Sequence, residues 1–328
     1  MPTEHNQIDV GVIGVGSMGQ HHARVYNELP EANLVGLFDA DDERAAEVAA
    51  DHGVSALPLD ELLENVDAVS IVVPTEYHYD LATQCLDANV GILIEKPVLE
   101  DLDQSADLRS RVEHANVPAQ VGHIERFNPA VTQLEEIVDD LSIVSIRSQR
   151  LGPEPERTIE DSAVLDLMIH DIDVVLSVLG QTPIRVQSAG VDENRHASAL
   201  LEFEDNVMAS LTASRKTQQK VRTLEITAEE CFIELDYIDQ SLEIHRSSIP
   251  EYIEENGDVR FKHESIVERP TIRNAEPLRR ELESFVETVS GNGIPDVTVE
   301  DGINALEVAE AIETTALNER ERMVSADD

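Results

Sequence analysis

A lysine that follows a short apolar run is the first candidate for chemistry in this sequence. Residues 91–97 read GILIEKP, which predicts a buried parallel strand that ends at Glu95 and Lys96. Ligands of open α/β sheets bind outside the carboxyl ends of the strands, so we expect Lys96 at the mouth of a crevice. The chain contains four lysines, and Lys96 is the only one among the first 215 residues. These observations predict a chemical role for Lys96.

Asp166 and His170 form a second candidate pair, on a helix predicted over residues 161–179 and ended by Gly180. Residues four apart project from the same face of a helix, and Asp173 lies on the next turn. The rest of this helix is mostly apolar, and titratable groups in such surroundings either find partners or face a crevice. The spacing alone leaves both interpretations open: an acid–base pair at a site, or a satisfied core pair with no chemical role.

A glycine-rich turn predicts where a cofactor binds. The pattern G-x-G-x-x-G occurs at Gly14, Gly16 and Gly19, between a predicted strand over residues 8–15 and a predicted helix over residues 20–29. In this pattern the first glycine permits a tight turn, the second lets the backbone approach a pyrophosphate, and the third allows close helix–strand packing. The helix N-terminus favours the anion.

The residue at the end of the second predicted strand indicates which cofactor binds. That strand covers residues 34–38 and is followed by Asp39, about twenty residues after the last glycine. A carboxylate there accepts hydrogen bonds from both ribose hydroxyls and repels a 2′-phosphate. The nearest base, Arg44, stands among acids, so we predict NAD in preference to NADP. The alternative is that Asp39 only caps the next helix, predicted over residues 41–51.

Alternating strands and helices predict an α/β Rossmann domain with a parallel sheet at residues 1–123. Further strands are predicted over residues 66–73 and 119–123, with helices over residues 77–88 and 100–116. Such alternation produces parallel strands joined by right-handed crossovers. We therefore assign NAD binding to this domain.

After residue 123 the pattern becomes β-rich, which predicts an α+β C-terminal domain at residues 124–328. Its large, open and mostly antiparallel sheet is expected to bind substrate and to mediate oligomerisation. The strands are predicted at residues 142–150, 184–191, 196–204, 206–216, 221–228, 231–237 and 240–246. Residues 247–274 are expected to be irregular, and two helices are predicted over residues 278–290 and 300–320.

The composition restricts the environment and the partners. The chain has 67 acidic and 24 basic residues and a formal net charge of −43. We expect a halophilic protein, because at molar salt the Debye length falls to about 3 Å and self-repulsion is screened.

The sequence lacks the clustered bases that bind nucleic acid. It also lacks an apolar run near the ~18 residues of a membrane span. Residues 1–7 do not resemble a signal peptide, so a cytoplasmic location is predicted.

Neither the cysteines nor the histidines predict a cross-link or a metal site. Cys85 and Cys231 are isolated, unlike the cysteines of a disulfide framework. His21 and His22 are adjacent on a predicted helix, so their side chains diverge. No cluster of acids or cysteines completes a ligand set near them. We therefore predict no metal.

Taken with three further motifs, these residues resemble the Gfo/Idh/MocA family of oxidoreductases over nearly the whole chain. The further motifs are Pro74-Thr75 with His78, the Glu95-Lys96-Pro97 sequence, and closing segments at residues 276–279 and 299–302. The resemblance implies an NAD-dependent dehydrogenase that acts on a CH–OH group by hydride transfer.

The resemblance also implies roles for individual residues. Lys96, His170 and Asp166 are the catalytic candidates, with either Lys96 or His170 moving the proton; we favour His170, oriented by Asp166, with Lys96 bonded to the reacting oxygen. The cofactor-binding candidates are Gly14, Gly16, Ser17, Met18, Gly19, Asp39, Pro74, Thr75, His78, Glu95 and Lys96. The substrate-binding candidates are Lys96, Arg126, Asn128, Asp166 and His170, with Arg150 and Lys216 as weaker ones.

Three segments are similar to UDP-N-acetylglucosamine 3-dehydrogenases and related sugar-nucleotide oxidases, namely residues 123–131, 151–153 and 166–173. They favour UDP-N-acetylglucosamine or a related UDP-sugar, oxidised at C3. The sequence departs from many family members at residues 161–163 and in having no tryptophan. A free polyol or aldose dehydrogenase, of the inositol or glucose type, is therefore an alternative, and a non-catalytic NAD-binding sensor or scaffold is another. A homodimer or homotetramer formed through the second sheet is expected.

Overall fold

The computed structural model describes residues 7–154, 161–247, 251–255, 258–262, 264–291 and 293–326. It contains two compact units. The first comprises residues 1–127 and 275–307, and the second comprises residues 128–274 and 308–328. Residues 1–7 were predicted not to form a signal peptide. All of them except Gln7 lie outside the described residues. Within the described ranges, no helix has both the length and the apolar character that crossing a bilayer requires.

The first unit is built on a parallel sheet, which confirms the predicted Rossmann-like fold. Its strands are β1 (Ile8–Ile13), β2 (Ala32–Phe38), β3 (Ser55–Ala56), β4 (Ala68–Ile71), β5 (Gly91–Glu95) and β6 (Ala119–Gly122). Its first helices are α1 (Ser17–Glu28), α2 (Asp42–His52), α3 (Leu59–Leu63), α4 (His78–Asp87) and α5 (Ser105–His114). In the described chain the six strands follow the order β3-β2-β1-β4-β5-β6, which brings the ends of β1, β4 and β5 side by side.

The glycine loop makes two element boundaries differ from those predicted. β1 ends at Ile13, before the predicted residue 15, because Gly14 has a φ of 89° and begins the turn. α1 begins at Ser17 rather than at residue 20, so the third glycine lies inside its first turn. The short elements β3 and α3 were not predicted, since two to five residues carry little periodicity.

A segment distant in sequence completes the first unit. α8 (Pro277–Val289) buries Leu278, Leu282, Phe285 and Val286, which share one helix face at the spacing of an amphipathic helix. These side chains belong to the same core cluster as the apolar residues of β1 and α1. The predicted division kept residues 124–328 together, whereas the compact units assign residues 275–307 to the first. The apolar face of α8 accounts for this difference.

The second unit contains a large, mostly antiparallel sheet, as predicted. Its strands are β7 (Ile143–Leu151), β8 (Arg185–Val191), β9 (His196–Glu202), β10 (Met208–Ser214), β11 (Val221–Ala228), β12 (Phe232–Asp236), β13 (Ser241–Ser247) and β16 (Ser265–Glu268), with a separate hairpin of β14 (Glu251–Glu255) and β15 (Asp258–Lys262). Among the described strands, β7 and β10 form the parallel pair of this sheet. β14, β15 and β16 lie within residues 247–274, where irregular structure was expected; residues 248–250, 256–257 and 263 of that stretch are outside the described residues.

Two helices cover one face of this sheet. α6 (Pro129–Val138) packs on β12 and β13, while α7 (Ile169–Leu179) packs on β7 and β10. Facing them, β7 buries Ile146, Ser148 and Arg150. The other face is polar along the same strands: Arg147 pairs in register with Glu225 of β11 and with Ser210 of β10. The last helix, α9 (Val299–Ala326), contributes residues to both units.

The predicted helix over residues 161–179 has two parts. Val164–Met168 is a π-helical turn, and α7 follows it directly. Gly180 ends α7 in the left-handed conformation, with a φ of 62°. Single π-helical turns within helices are frequent at functional sites, and this one contains Asp166.

Candidate functional site

The three glycines of the loop are required for different reasons. A Cβ atom on Gly14 would lie 2.3 Å from the carbonyl oxygen of Val72, and one on Gly19 would lie 1.9 Å from the carbonyl oxygen of Gly14. Around Gly16, in contrast, nothing lies within 4 Å of such an atom. Gly14 and Gly19 are therefore needed by the fold itself. Gly16 leaves open space beside the N-terminus of α1, where a pyrophosphate would approach.

Substitution of two of these glycines should separate folding from cofactor binding. We expect Gly19→Ala to lower the free energy of unfolding by about 1–3 kcal/mol or more, because the added methyl group meets backbone that cannot yield. Gly16→Ala should unfold like the wild type but bind NADH about tenfold or more weakly, since the methyl group enters the space that the pyrophosphate needs. Denaturant titration and NADH fluorescence measure the two effects. Equal stability losses in both variants would contradict this assignment.

Asp39 stands at the end of β2 with both carboxylate oxygens engaged. Oδ2 accepts the backbone N–H of Val15 at 2.8 Å, and Oδ1 accepts that of Asp41 at 2.9 Å. Arg44 adds two donors, Nη2 at 2.6 Å from Oδ1 and Nε at 3.2 Å from Oδ2. Burial alone would raise the pKa of Asp39, but the hydrogen bonds from Arg44 and the two backbone groups hold it below its ordinary value. Asp39 is therefore held as a carboxylate, while Asp41 provides the side-chain cap of α2.

A pocket of about 620 Å³ in the first unit brings several predicted residues together. Its lining includes Gly14, Gly16, Asp39, Arg44, Pro74 and Tyr77. Ser17 begins α1, and Thr75 begins a short 3₁₀ turn after β4. A glycine turn, a helix N-terminus and a carboxylate on one cavity fit the diphosphate and ribose of a dinucleotide.

Lys96 follows β5 at the carboxyl edge of the sheet and is half-buried. Its bond to Pro97 is cis. The preceding side chain, Glu95, is 9% exposed. Glu95 Oε1 lies 3.1 Å from His22 Nε2, and its Oε2 accepts the backbone N–H of Lys96 at 3.2 Å. Glu95 was predicted to contact the cofactor; the structure shows its carboxylate bonded to α1 and to its own neighbour.

Two buried histidines lie near Lys96 in the first unit. The ring nitrogens of His78 lie 2.8 Å and 3.0 Å from the backbone carbonyl oxygens of Pro97 and Val73, so the ring connects the segment after Lys96 to that after β4. Burial lowers the pKa of His78, although these carbonyls favour the protonated ring. Burial also lowers the pKa of His123 to about 3, with smaller contributions from Lys96 and Arg126. Both rings are therefore neutral at ordinary pH, and His78 supports the backbone.

The second unit contains Asp166 and His170. Asp166 lies in the π-helical turn, where its Oδ2 accepts a hydrogen bond from Nη2 of Arg215 at 2.5 Å. Arg215 is 5% exposed and also donates to the backbone carbonyl of Asp161, just before the π-helical turn. His170 is half-buried in the first turn of α7. Arg215 thus fixes both the carboxylate of Asp166 and the start of the segment that carries it.

The other predicted substrate contacts have structural partners. Asn128 is 2% exposed, caps α6 by accepting the N–H of Ala130, and donates to the carbonyl of Tyr237. Arg126 donates to the carbonyl of Asp296 at 3.3 Å.

The weaker candidates also form ion pairs: Arg150 with Asp171 at 2.7 Å and 3.1 Å, and Lys216 with Asp192 at 2.8 Å and Glu154 at 3.3 Å. Arg150 and Asp171 are both buried and stabilise the interior of the second unit.

Sequence reasoning did not identify several residues that contact the candidates. Arg215 reaches Asp166 across 49 residues, and Glu281 of α8 approaches Glu95 and His22 from still further along the chain. No local pattern marks either contact. Arg44 was noted only as an isolated base, although its position five residues after Asp39, one helical turn into α2, is compatible with the ion pair that forms.

Known proteins resemble the chain in both halves. A model of the Gfo/Idh/MocA oxidoreductase family, with an NAD-binding Rossmann fold, matches residues 8–123, and a model of the Gfo/Idh/MocA C-terminal domain matches residues 141–234. The UDP-N-acetylglucosamine 3-dehydrogenase of Acidithiobacillus ferrooxidans is 35% identical over 240 residues, which cover 72% of this chain and 76% of that protein. Its solved structure has a TM-score of 0.86 at 29% identity and covers 94% of this chain and 97% of its own.

A second relative acts on a different substrate. The NAD⁺-dependent scyllo-inositol 2-dehydrogenase of Bacillus subtilis is 30% identical over 239 residues, which cover 65% of this chain and 68% of that protein.

The parallel sheet, the glycine loop and the acid at the end of β2 define the class, a nicotinamide-dependent Rossmann oxidoreductase. The chain belongs to the Gfo/Idh/MocA family of oxidoreductases, and within it to the dehydrogenases of CH–OH groups.

Proposed function

We propose that this protein is an NAD-dependent dehydrogenase that oxidises the C3 hydroxyl of UDP-N-acetylglucosamine or a related UDP-sugar. The observation that carries this proposal is the similarity to a UDP-N-acetylglucosamine 3-dehydrogenase over most of both chains. Lys96 after β5 and the Asp166–His170 segment of the second unit supply the polar groups that such a reaction requires.

In the proposed reaction the hydroxyl loses its proton to the imidazole of His170. NAD⁺, held by the glycine loop and Asp39, would supply the acceptor for the hydride of the C3–H bond, so that the alcohol would become a ketone. The ammonium group of Lys96 donates a hydrogen bond to the same oxygen, and Asp166, held by Arg215, orients His170. Positioned acid–base groups of this kind contribute about 10²–10⁴-fold to the rate. The alternative assigns the proton transfer to Lys96.

The carboxylate of Asp39 supports NAD as the preferred cofactor. To accept both ribose hydroxyls, Asp39 would exchange the two donors of Arg44, whose side chain is 46% exposed, and keep those of Val15 and Asp41. A released guanidinium is a ready partner for a phosphate. Arg44 would therefore retain some capacity for NADP in a site that otherwise favours NAD.

Two substitutions should separate the contribution of Asp39, which favours NAD, from that of Arg44, which retains some capacity for NADP. We expect Arg44→Ala to raise the ratio of kcat/KM for NAD over that for NADP severalfold, because the guanidinium that could bind the 2′-phosphate is removed while Asp39 is freed. Asp39→Ala should lower the ratio by about tenfold or more, since the ribose loses its acceptor. Steady-state rates with each cofactor measure both. An unchanged ratio in Asp39→Ala would remove that residue from cofactor selection.

The substrate is tested by NADH formation at 340 nm in molar KCl with a panel of UDP-sugars, free aldoses and inositols. Oxidation of UDP-N-acetylglucosamine, with a 3-keto product seen by mass spectrometry and NMR, is the expected result. Oxidation of scyllo- or myo-inositol alone would support the free-polyol dehydrogenase, which the similarity to scyllo-inositol 2-dehydrogenase favours. NADH binding without turnover of any substrate would support the non-catalytic sensor or scaffold.

We also propose a homo-oligomer and a high-salt cytoplasm as the setting. The uncovered polar face of the second sheet is where a second copy would pack, which light scattering and substitutions at Arg147 would test. The net charge of −43 supports a protein whose melting temperature rises from low to molar KCl. A melting temperature that does not change with salt would argue against this setting.

A further inference from the structure

Three ionisable side chains meet in the interior of the first unit. His22 is on α1, Glu95 ends β5 and Glu281 is on α8; their exposures are 0%, 9% and 0%. One ligand atom of each, a ring nitrogen of His22 and an oxygen of each glutamate, lies within 4.8 Å of the others. The three segments are far apart in the sequence, so this cluster exists only when α8 has joined the first unit.

The charged neighbours of the cluster are few among the described residues. Lys96, directly after β5, acts on Glu95. Tyr26 on α1 is fully buried, and burial raises its pKa, with a smaller contribution from Glu281, so it stays neutral. His123, after β6, is kept neutral by burial, and Asp301 on α9 acts on it in the opposite sense.

Burial and proximity place two carboxyl groups and one imidazole in a single interior site. Two carboxylates in a buried site disfavour each other's ionised form, and burial disfavours both. Burial would raise the pKa of Glu95, yet its hydrogen bond with His22 Nε2, helped by Lys96, holds the pKa below its ordinary value. Groups that interact this strongly take up and release protons as a pair or triad, not as independent sites.

Glu95 connects this cluster to the candidate catalytic lysine. Its Oε2 accepts the backbone N–H of Lys96, and Gly122 makes room for its side chain: a Cβ there would lie 3.2 Å from Glu95 Cα and Cδ. We propose that His22, Glu95 and Glu281 act as one proton-sharing unit, in which His22 and Glu281 are positioning residues that hold Lys96 in place through Glu95. The step to Lys96 rests on the proposed function, whereas the proton sharing does not.

Two conservative substitutions should move the acid transition in opposite directions. A carboxyl group with a lowered folded pKa stabilises the protein above its unfolded pKa, and this contribution is lost as the pH falls through the folded value. Glutamine at position 22 can still donate a hydrogen bond to Glu95 but carries no positive charge, so His22→Gln removes the electrostatic attraction by His22 that helps to lower the pKa of Glu95. The loss should therefore begin at higher pH. Glu281→Gln removes a carboxylate that disfavours ionised Glu95, so the loss should begin at lower pH. The melting temperature of each full-length variant as a function of pH, at constant molar KCl, measures both.

Matched controls are available on the same helices. His21→Gln on α1 and Glu287→Gln on α8 change exposed residues and should leave the profile of melting temperature against pH unchanged. Shifts in the same direction for His22→Gln and Glu281→Gln, or no shift in either, would overturn the proton sharing. If His22→Gln does not fold, Glu281→Gln decides alone: a downward shift supports the proposal, and an unchanged or upward one overturns it.

Activity tests the connection to Lys96 separately. With a substrate that the wild type oxidises, the acid limb of kcat/KM should move in the same direction as the unfolding profile in each variant. An acid limb that stays fixed while the unfolding profile moves would overturn the positioning role. If the wild type oxidises no member of the substrate panel, the proposed function fails, and the unfolding profiles still decide whether the three groups share protons.

Discussion

Replacement of Lys96 by alanine should lower kcat by about 10²–10⁴-fold while NADH binding stays close to that of the wild type. The reason is geometric: Lys96 follows β5 at the carboxyl edge of the parallel sheet, while the cofactor loop and Asp39 belong to other strand ends. Its ammonium group is the donor that we assign to the reacting oxygen. Single-turnover rates at saturating NAD⁺ measure the loss, and NADH fluorescence measures binding.

Chemical rescue and a matched control strengthen this test. Small primary amines that can enter the space left in Lys96→Ala should restore part of kcat, and imidazole should not. Lys220→Ala changes an exposed lysine elsewhere in the chain and should leave kcat unchanged. A Lys96→Ala variant that turns over at nearly the wild-type rate would exclude the lysine from the chemistry.

The second large effect is expected at His170. His170→Ala should lower kcat by about 10²–10⁴-fold, because the hydroxyl loses its proposed proton acceptor. The variant should gain activity as the pH rises, since hydroxide can then take the proton. Added imidazole should restore part of kcat in a saturable manner.

The rescue experiments distinguish the two assignments of proton transfer. Rescue of His170→Ala by imidazole supports His170 as the acceptor, together with a rate profile in which the wild-type pH dependence is replaced by a simple rise with hydroxide concentration. If the pH dependence remains in His170→Ala and disappears in Lys96→Ala, the lysine moves the proton instead. His114→Ala, which changes an exposed histidine on α5, is the control for non-specific loss of activity.

The parts of this molecule that could be predicted from sequence are those set by local rules. The turn at Gly14, the helix after the glycine loop and the acid after β2 follow from spacing within some thirty residues. The turn and the acid lie where predicted, and the helix begins three residues earlier than predicted. The strands of both sheets could also be predicted. A strand that is buried on one face shows alternating apolar residues, and a strand that is buried on both faces shows a short apolar run.

Contacts between distant segments could not be predicted in the same way. Arg215 is one base in a β-rich stretch, and only the packing of β10 beside the π-helical turn brings it to Asp166. Glu281 lies on the buried face of α8, three residues after Leu278, so its burial follows from the helical period, but its contact with His22 and Glu95 does not. In a single sequence, the periodicity of apolar residues indicates which residues are buried, but it does not indicate which buried polar groups contact one another.

The placement of α8 also has a consequence for biosynthesis. The ribosome completes β1 to β6 long before it makes residues 275–307, so the emerging cofactor domain lacks the helix that covers Tyr26 and Leu93 in its core. Helix α8 is translated only after the whole sheet of the second unit. Truncation before α8 would therefore impair the first unit as well as the second, and neither unit can be exchanged between relatives by a single cut in the gene.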